Sequence, residues 1–249
     1  MSDKTVVITG GSKGIGLSIT ESFLTAGFNV YVAARHIGDL KNLSHPKLKF
    51  KKTDVRIESE VIDLITKAVN ETGRLDVVIN NAGYSEWRPI EAIDQEFLIN
   101  ILSTNLMSAF WGCKAAVANM AKGGSIINIS SIAGKRGSSN NSAYVASKFG
   151  MNGLTQALAK EVGYKNIRVN GVCPVLIPTD GLLEALKSPY SPAQNNGIDF
   201  IKKFAQDQSA LKRLPSGDEI AAICLFLASD AASAITGQNI NVDCGVFPQ

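Results

Sequence analysis

Thr5-Val6-Val7-Ile8-Thr9-Gly10-Gly11-Ser12-Lys13-Gly14-Ile15-Gly16 is the stretch on which the fold of this chain turns. Its first five residues are β-branched and apolar without alternation, the pattern of a strand buried on both faces. Glycines follow at once, and then Leu17, Ile19, Phe23 and Leu24 recur at helical spacing as far as Ala26-Gly27. A strand, a glycine turn and a helix start make an anion site, because free backbone N–H groups and the positive helix end face one point. Glycine lets the backbone turn tightly and approach a pyrophosphate closely. The spacing is G-x-x-x-G-x-G rather than the commoner G-x-G-x-x-G. The strand–helix context favours dinucleotide binding over a mere tight connection.

The same rhythm continues outward. Strand-like runs stand at Asn29 to Ala33, Leu48 to Lys52, Asp76 to Asn80, Ser125 to Ile129, Arg168 to Val172 and Gln238 to Val242. Helical stretches fill the gaps near 57–72, 94–121, 142–163 and 216–228. Such alternation predicts an α/β fold: a doubly wound, Rossmann-like parallel sheet of about seven strands with helices on both faces and right-handed crossovers. No repeat or linker divides residues 1–249, so one dinucleotide-binding catalytic domain is expected. The exception to the rhythm is 176–215, where Pro, Ser, Asn and Lys interrupt any long apolar period. Ligands of open α/β sheets sit outside the carboxyl ends of the strands, and a long excursion there reads as a substrate lid.

Composition narrows the class. A chain of 249 residues can bury a sizeable core as one α/β unit. Its net charge is only +3, with no basic tract to suggest nucleic acid. No apolar run reaches membrane-spanning length and no signal-like segment opens the chain, so the cytoplasm is the expected compartment. Cys113, Cys173, Cys224 and Cys244 are scattered, and His36 and His45 complete no zinc spacing with them. No metal is expected, and each cysteine reads as a small buried hydrophobe.

Chemistry enters at Tyr144-Val145-Ala146-Ser147-Lys148. On a helix, Lys148 lies one turn from Tyr144. A phenol of pKa about 10 carries protons poorly at neutral pH, and a fixed positive charge nearby favours phenolate. Tyr-x-x-x-Lys is common on ordinary amphipathic helices, so the pair gains meaning from its company.

Taken together, Thr9 to Gly16, Asn80-Asn81-Ala82-Gly83, Asn105, Ser131 and Tyr144-x-x-x-Lys148 resemble the short-chain dehydrogenase/reductase family in its ordinary form of about 250 residues. That form includes 3-oxoacyl-carrier-protein reductases and many sugar and polyol dehydrogenases. The likeness runs from Lys4 to the end, closing on Gly237 to Asp243. It implies an oxidoreductase acting on CH–OH groups, with Tyr144 exchanging a proton with the substrate oxygen. Lys148 would lower the tyrosine pKa and bond the nicotinamide ribose. Ser131 would hold the substrate oxygen. Ser130 beside it is chemically equal, and only the family's thirteen-residue spacing to Tyr144 selects Ser131. Asn105, mid-helix, would help hold a water linking Lys148 to solvent. The glycine-turn residues Gly10, Ser12, Lys13, Gly14, Ile15 and Gly16 would take the pyrophosphate side. Asp54 and Val55 would meet adenine, Asn81, Ala82 and Gly83 the ribose, and Pro174, Ile177 and Thr179 the carboxamide. Departures are Val175 and Cys244, where the family often has glycine, and Pro178 before Thr179.

Cofactor choice follows from charge. An acid about 20 positions past the glycine turn binds the 2′-hydroxyl of NAD, whereas arginine accommodates the 2′-phosphate of NADP. Here Arg35 stands in that place, with no acid from Phe28 to Gly38 and Lys13 in the turn. NADP is therefore expected, with NAD as the alternative. Tyr84 to Arg88, Ala133, Gly134, Asn140, Asn141 and the lid are the candidate substrate lining. Glu86, Arg88, Asn140 and Asn141 lean toward a small polar substrate such as a sugar, polyol or hydroxy acid. The alternatives are a 3-oxoacyl thioester and, in another class, a non-catalytic dinucleotide sensor. Lys187, Lys202, Lys203, Lys212 and Arg213 either attract an acid or form a solvated face. By analogy with the family a homotetramer is expected.

Overall fold

A computed structural model of the chain describes residues 3–193 and 196–248. Seven strands are formed: β1 (Thr5–Thr9), β2 (Asn29–Ala34), β3 (Leu48–Lys52), β4 (Val77–Asn80), β5 (Gly124–Ile129), β6 (Ile167–Pro174) and β7 (Asn239–Val242). They pair in parallel in the order β3-β2-β1-β4-β5-β6-β7. The helices are α1 (Gly14–Thr25), α2 (Glu58–Thr72), α3 (Gln95–Leu102), α4 (Ser108–Asn119), α5 (Ser142–Val162), α6 (Asp180–Ala185), α7 (Gly197–Gln208) and α8 (Gly217–Ala228).

Alternate residues of a strand point to opposite faces, and β1 obeys this with no polar side. Val6 and Ile8 pack with Ile19 and Phe23 of α1 and Ile220 and Cys224 of α8. Val7 packs the other way, with Val61 and Leu64 of α2 and Cys113 and Ala116 of α4. Val6, Val7 and Ile8 are fully buried, and burial of each such side chain stabilises by ~1.5–3 kcal/mol. The doubly wound sheet expected from the sequence is thus formed. Between β2 and β4, β1 marks the point where strand order reverses, and its carboxyl end opens the ligand crevice of such sheets. Among the described residues no helix is long and apolar enough to cross a membrane.

Two expectations need correction. The helix read over 94–121 is broken: a π turn at Ser103–Met107 separates α3 from α4. Ser103 Oγ donates to the Ile99 carbonyl at 2.6 Å and Ser108 Oγ to the Thr104 carbonyl at 2.6 Å. Such back-bonding competes with the regular ladder, and π turns recur at functional sites. The segment 176–215, read as without long apolar period, holds α6 and α7. Thr179 caps α6 through the Leu182 N–H, and Asn196 caps α7 through the Asp199 N–H. Partly buried Ile201 and Phe204 with buried Ala205 give α7 an apolar stripe too short to stand out in sequence. Residues 194 and 195 of the expected lid lie outside the described residues. Cys113, Cys173 and Cys224 are buried as expected, whereas Cys244 is half-buried with φ 55°.

Candidate active site

The glycine turn hands β1 to α1 with its donors free. Lys13 precedes the helix in an extended conformation, with no side-chain cap and no acid in the first turn. That leaves N–H groups and the positive helix end for an anion. Gly10 and Gly14 have φ of 67° and 54°, values that side chains resist. A Cβ on Gly16 would strike the Gly10 carbonyl oxygen and lie 2.6 Å from Asn81 Nδ2, so only glycine lets the helix sit this close. Ser12 is buried and Ile15 packs against the core below. From β4, Asn81 Nδ2 donates to the Thr9 and Gly10 carbonyls at 3.0 Å each. Thr9 Oγ1 accepts from the N–H groups of Asn81 and Ala82 at 3.0 and 3.1 Å. These bonds lock the two strand ends that floor the crevice. Thr179 closes it from above, for a Cβ on Gly14 would lie 3.3 Å from its methyl group. Ile177 is buried in the core, and Pro174 ends β6 beside Ser131, whose Oγ lies 3.5 Å from the Pro174 carbonyl.

On α5, Lys148 is only 4% exposed; its Nζ donates to the Ile129 carbonyl at 2.9 Å and stands 5.7 Å from the centroid of the Tyr144 ring. The two serines after β5 diverge. Ser130 is buried and directs Oγ toward the Lys148 carbonyl at 3.4 Å. Ser131 Oγ accepts from the Ala133 N–H at 3.1 Å and stands near enough to the Tyr144 phenol to draw its pKa down in part. Of the two, Ser131 is the one that acts on the Tyr144 phenol. Burial pulls Lys148 down to about 8. It also raises the phenol of half-buried Tyr144 above its ordinary value, with Ser131 only partly opposing. The lowering of Tyr144 by Lys148 expected from the sequence is not found in the protein alone, where burial of the phenol sets the direction.

Asn105, mid-helix in the sequence, sits in the π turn and is fully buried. Its Nδ2 donates to the Tyr84 carbonyl at 2.9 Å and to Ser147 Oγ at 3.2 Å, and its Oδ1 accepts from the Tyr84 N–H at 2.9 Å. Both polar atoms of this amide thus carry protein bonds that fix Tyr84 and Ser147 around it. Gly83 wedges beside it, where a Cβ would lie 3.1 Å from Asn105 Oδ1 and 3.6 Å from Lys148 Nζ. Ala82 and Gly83 thus pass directly over the lysine.

Beyond β2, Arg35 is exposed, and Lys13 is exposed at the turn. Asp54 and Val55 follow β3, but the Asp54 carboxylate is gripped by Arg56. Its oxygens accept from Arg56 Nε at 3.0 and 3.1 Å and from Nη2 at 2.6 Å. The bonds to Arg56 hold Asp54 below the usual carboxylate range. Arg35, Arg56, Tyr84, Asn100 and Thr104 line one cavity of about 260 Å³. Sequence reasoning missed Arg56, whose only signal is a base two positions after Asp54.

The candidate substrate loops are knitted to the lid. Arg88 pairs with Glu86 at 2.8 Å and Asp94 at 3.6 Å, lies 4.0 Å over the Phe97 ring, and donates its N–H to the Asn140 carbonyl at 2.6 Å. Asn140 Nδ2 donates to the Tyr190 carbonyl at 3.2 Å, and Ser188 Oγ to the Trp87 carbonyl at 3.1 Å. Ser85 Oγ lies 3.4 Å from Asn141 Oδ1. Gly134 is buried under α5 and packs behind the site instead of lining it. Of the five basic residues read in the lid, Lys187 pairs with Glu184, Lys212 bonds the Gln206 carbonyl and Arg213 pairs with Glu219. Those bonds leave a general attraction for acids to Lys202 and Lys203, both exposed on α7.

A family model described as enoyl-(acyl carrier protein) reductase matches residues 10–247. A 3-oxoacyl-(acyl-carrier-protein) reductase of Chlamydia muridarum is 37% identical, over 98% of this chain and 97% of that protein. The chain belongs to the short-chain dehydrogenase/reductase family. An L-2,3-butanediol dehydrogenase of Corynebacterium glutamicum is a second relative of this short-chain dehydrogenase/reductase, 33% identical over 98% of each chain. The solved structure of Thermoplasma acidophilum aldohexose dehydrogenase superposes with a TM-score of 0.89 at 31% identity, covering 98% of this chain and 94% of that one. The short-chain dehydrogenase/reductases are oxidoreductases that use nicotinamide dinucleotides. The uncapped α1 start and the cradle at Gly10, Gly14 and Gly16, which a Cβ would obstruct, fit a pyrophosphate.

Proposed function

We propose that this short-chain dehydrogenase/reductase transfers a hydride between NADP(H) and the carbonyl or hydroxyl of a small polar substrate such as a sugar, polyol or hydroxy acid. The observation that carries the reading is the convergence of three groups, with the Ser131 hydroxyl acting on the Tyr144 phenol and buried Lys148 Nζ 5.7 Å from its ring. The nicotinamide supplies or accepts the hydride when bound. Gly10, Ser12, Lys13, Gly14, Ile15 and Gly16 hold the pyrophosphate side of that group. Ala82 and Gly83 keep the approach to Lys148 open, and Pro174, Ile177 and Thr179 border the carboxamide. Ser131 orients the substrate oxygen, and Tyr144 delivers the proton in reduction or removes it in oxidation. A phenol raised by burial is protonated at neutral pH and stands ready as the acid. Arg35, with no acid from Phe28 to Gly38, supports NADP over NAD.

Polar Glu86, Arg88, Asn140 and Asn141 around the entrance support the substrate class, as do the butanediol and aldohexose dehydrogenases among the similar proteins. The Chlamydia relative favours a second reading, reduction of a 3-oxoacyl thioester. Exposed Leu98, Ile99, Met107, Phe110 and Phe149 on α3, the π turn, α4 and α5 offer apolar surface for the homotetramer proposed with this activity; light scattering tests it. Function is tested by following NADPH and NADH absorbance, in both directions, with a panel of sugars, polyols, hydroxy acids and acetoacetyl-coenzyme A. Turnover of polar alcohols or ketones supports the first reading and turnover of the thioester alone the second. A dinucleotide that binds without turnover of any substrate would indicate a sensor.

A further inference from the structure

Arg56 is held more elaborately than a surface ion pair needs. Its guanidinium takes both Asp54 oxygens, and its Nη1 donates to Asn100 Oδ1 at 3.3 Å on α3. Side-chain exposures of 40% and 22% for Arg56 and Asp54 make this pair worth little as a stabiliser. What it does achieve is placement. The parallel register sets Ala34 of β2 opposite Lys52 of β3, so Arg35 and the segment through Arg56 leave the sheet side by side. Both arginines then face one cavity, of about 260 Å³. Clamped on one edge, the Arg56 guanidinium keeps N–H groups of Nη1 and Nη2 for a further acceptor.

The charge count makes the clamp meaningful. Arg35 and Asp54 alone cancel, which would leave a neutral site with a bare carboxylate next to it. Arg56 turns that sum positive and closes off the carboxylate. Resting on the NADP reading above, we infer that Arg56 is a second specificity-determining residue, which joins Arg35 in binding the adenosine 2′-phosphate and converts Asp54 from a ribose or adenine acceptor into a positioning residue.

The test separates this inference from the reading beneath it. Adenosine 2′,5′-bisphosphate and 5′-AMP are titrated calorimetrically into the full chain, as wild type, Arg56→Gln and Arg56→Ala. The wild type is expected to prefer the bisphosphate. Arg56→Gln and Arg56→Ala should each weaken bisphosphate binding roughly tenfold, as expected for one charge acting on a phosphate across a partly screened site. Binding of 5′-AMP should stay the same or tighten as Asp54 is freed. A merely structural Arg56 would weaken both nucleotides equally, and that result overturns the inference. So does a full wild-type preference in both variants. A wild type that binds both nucleotides alike refutes the NADP reading itself, and this inference with it.

Discussion

Removing the buried ammonium at Lys148 should make the protein more tolerant of denaturant at neutral pH while removing its chemistry. Lys148 lies 4% exposed, with the Ile129 carbonyl as acceptor, and burial draws its pKa from 10.5 to about 8. That gap corresponds to ~3 kcal/mol at 1.36 kcal/mol per pH unit. For a base whose native pKa is depressed, the unfolded chain binds more protons between the two values, so stability rises with pH across that window. The unfavourable contribution is therefore fully present below about pH 8 and gone above about 10.5. Lys148→Met removes it and leaves the Ile129 carbonyl without this donor, a loss of about 1–2 kcal/mol. The variant should then be more stable by about 1–2 kcal/mol at pH 7. Its advantage over the lysine protein should shrink by about 2 kcal/mol on going to pH 9.5. Urea unfolding of both proteins at the two pH values reads this directly, in a Tyr144→Phe background so that no phenol titrates beside the lysine. A stability difference that does not change with pH would refute the assignment of a desolvated ammonium.

Three further outcomes follow from the same geometry. Tyr144→Phe should reduce turnover by about 10²–10⁴-fold, the usual contribution of a positioned acid, while NADPH binding measured by fluorescence titration is unchanged. Arg35→Asp puts a carboxylate beside the 2′ position, and the ratio of NADPH to NADH affinity should fall at least tenfold; an unchanged ratio rejects the phosphate assignment. Asn105→Ala strands the Tyr84 N–H and carbonyl in the interior and should lower stability by about 2 kcal/mol, or Tm by about 4–8 °C for a chain of this size.

Where local pattern and global role coincide, the fold is legible in the sequence. β1 reads as a doubly buried strand because Val6, Val7 and Ile8 have apolar neighbours on both faces, and the structure splits them between two helical layers. Tyr144 and Lys148 were visible because one turn of helix sets their spacing. Ser131 could not be told from Ser130 by residue chemistry, since their difference lies in which way each side chain leaves the end of β5. The π turn escaped because Ser103 and Ser108 are unremarkable helix residues until their hydroxyls bond back to the preceding turn. Arg56 escaped because its meaning depends on Arg35, which the β2–β3 register alone brings alongside.

The bonds that seat the lid have a consequence for how such an enzyme diversifies. Ser188 and Asn140 reach across to the main-chain carbonyls of Trp87 and Tyr190. A carbonyl is present whatever side chain the residue carries, so these two bonds are indifferent to their acceptors, whereas the buried Trp87 side chain packs against Leu186 and Ala193 and does hold the segment. Tyr84 and Tyr190, both exposed and outside that cluster, can exchange side chains without breaking these bonds. A segment seated by one aromatic anchor and by backbone carbonyls leaves the remaining side chains around it free to vary one substitution at a time.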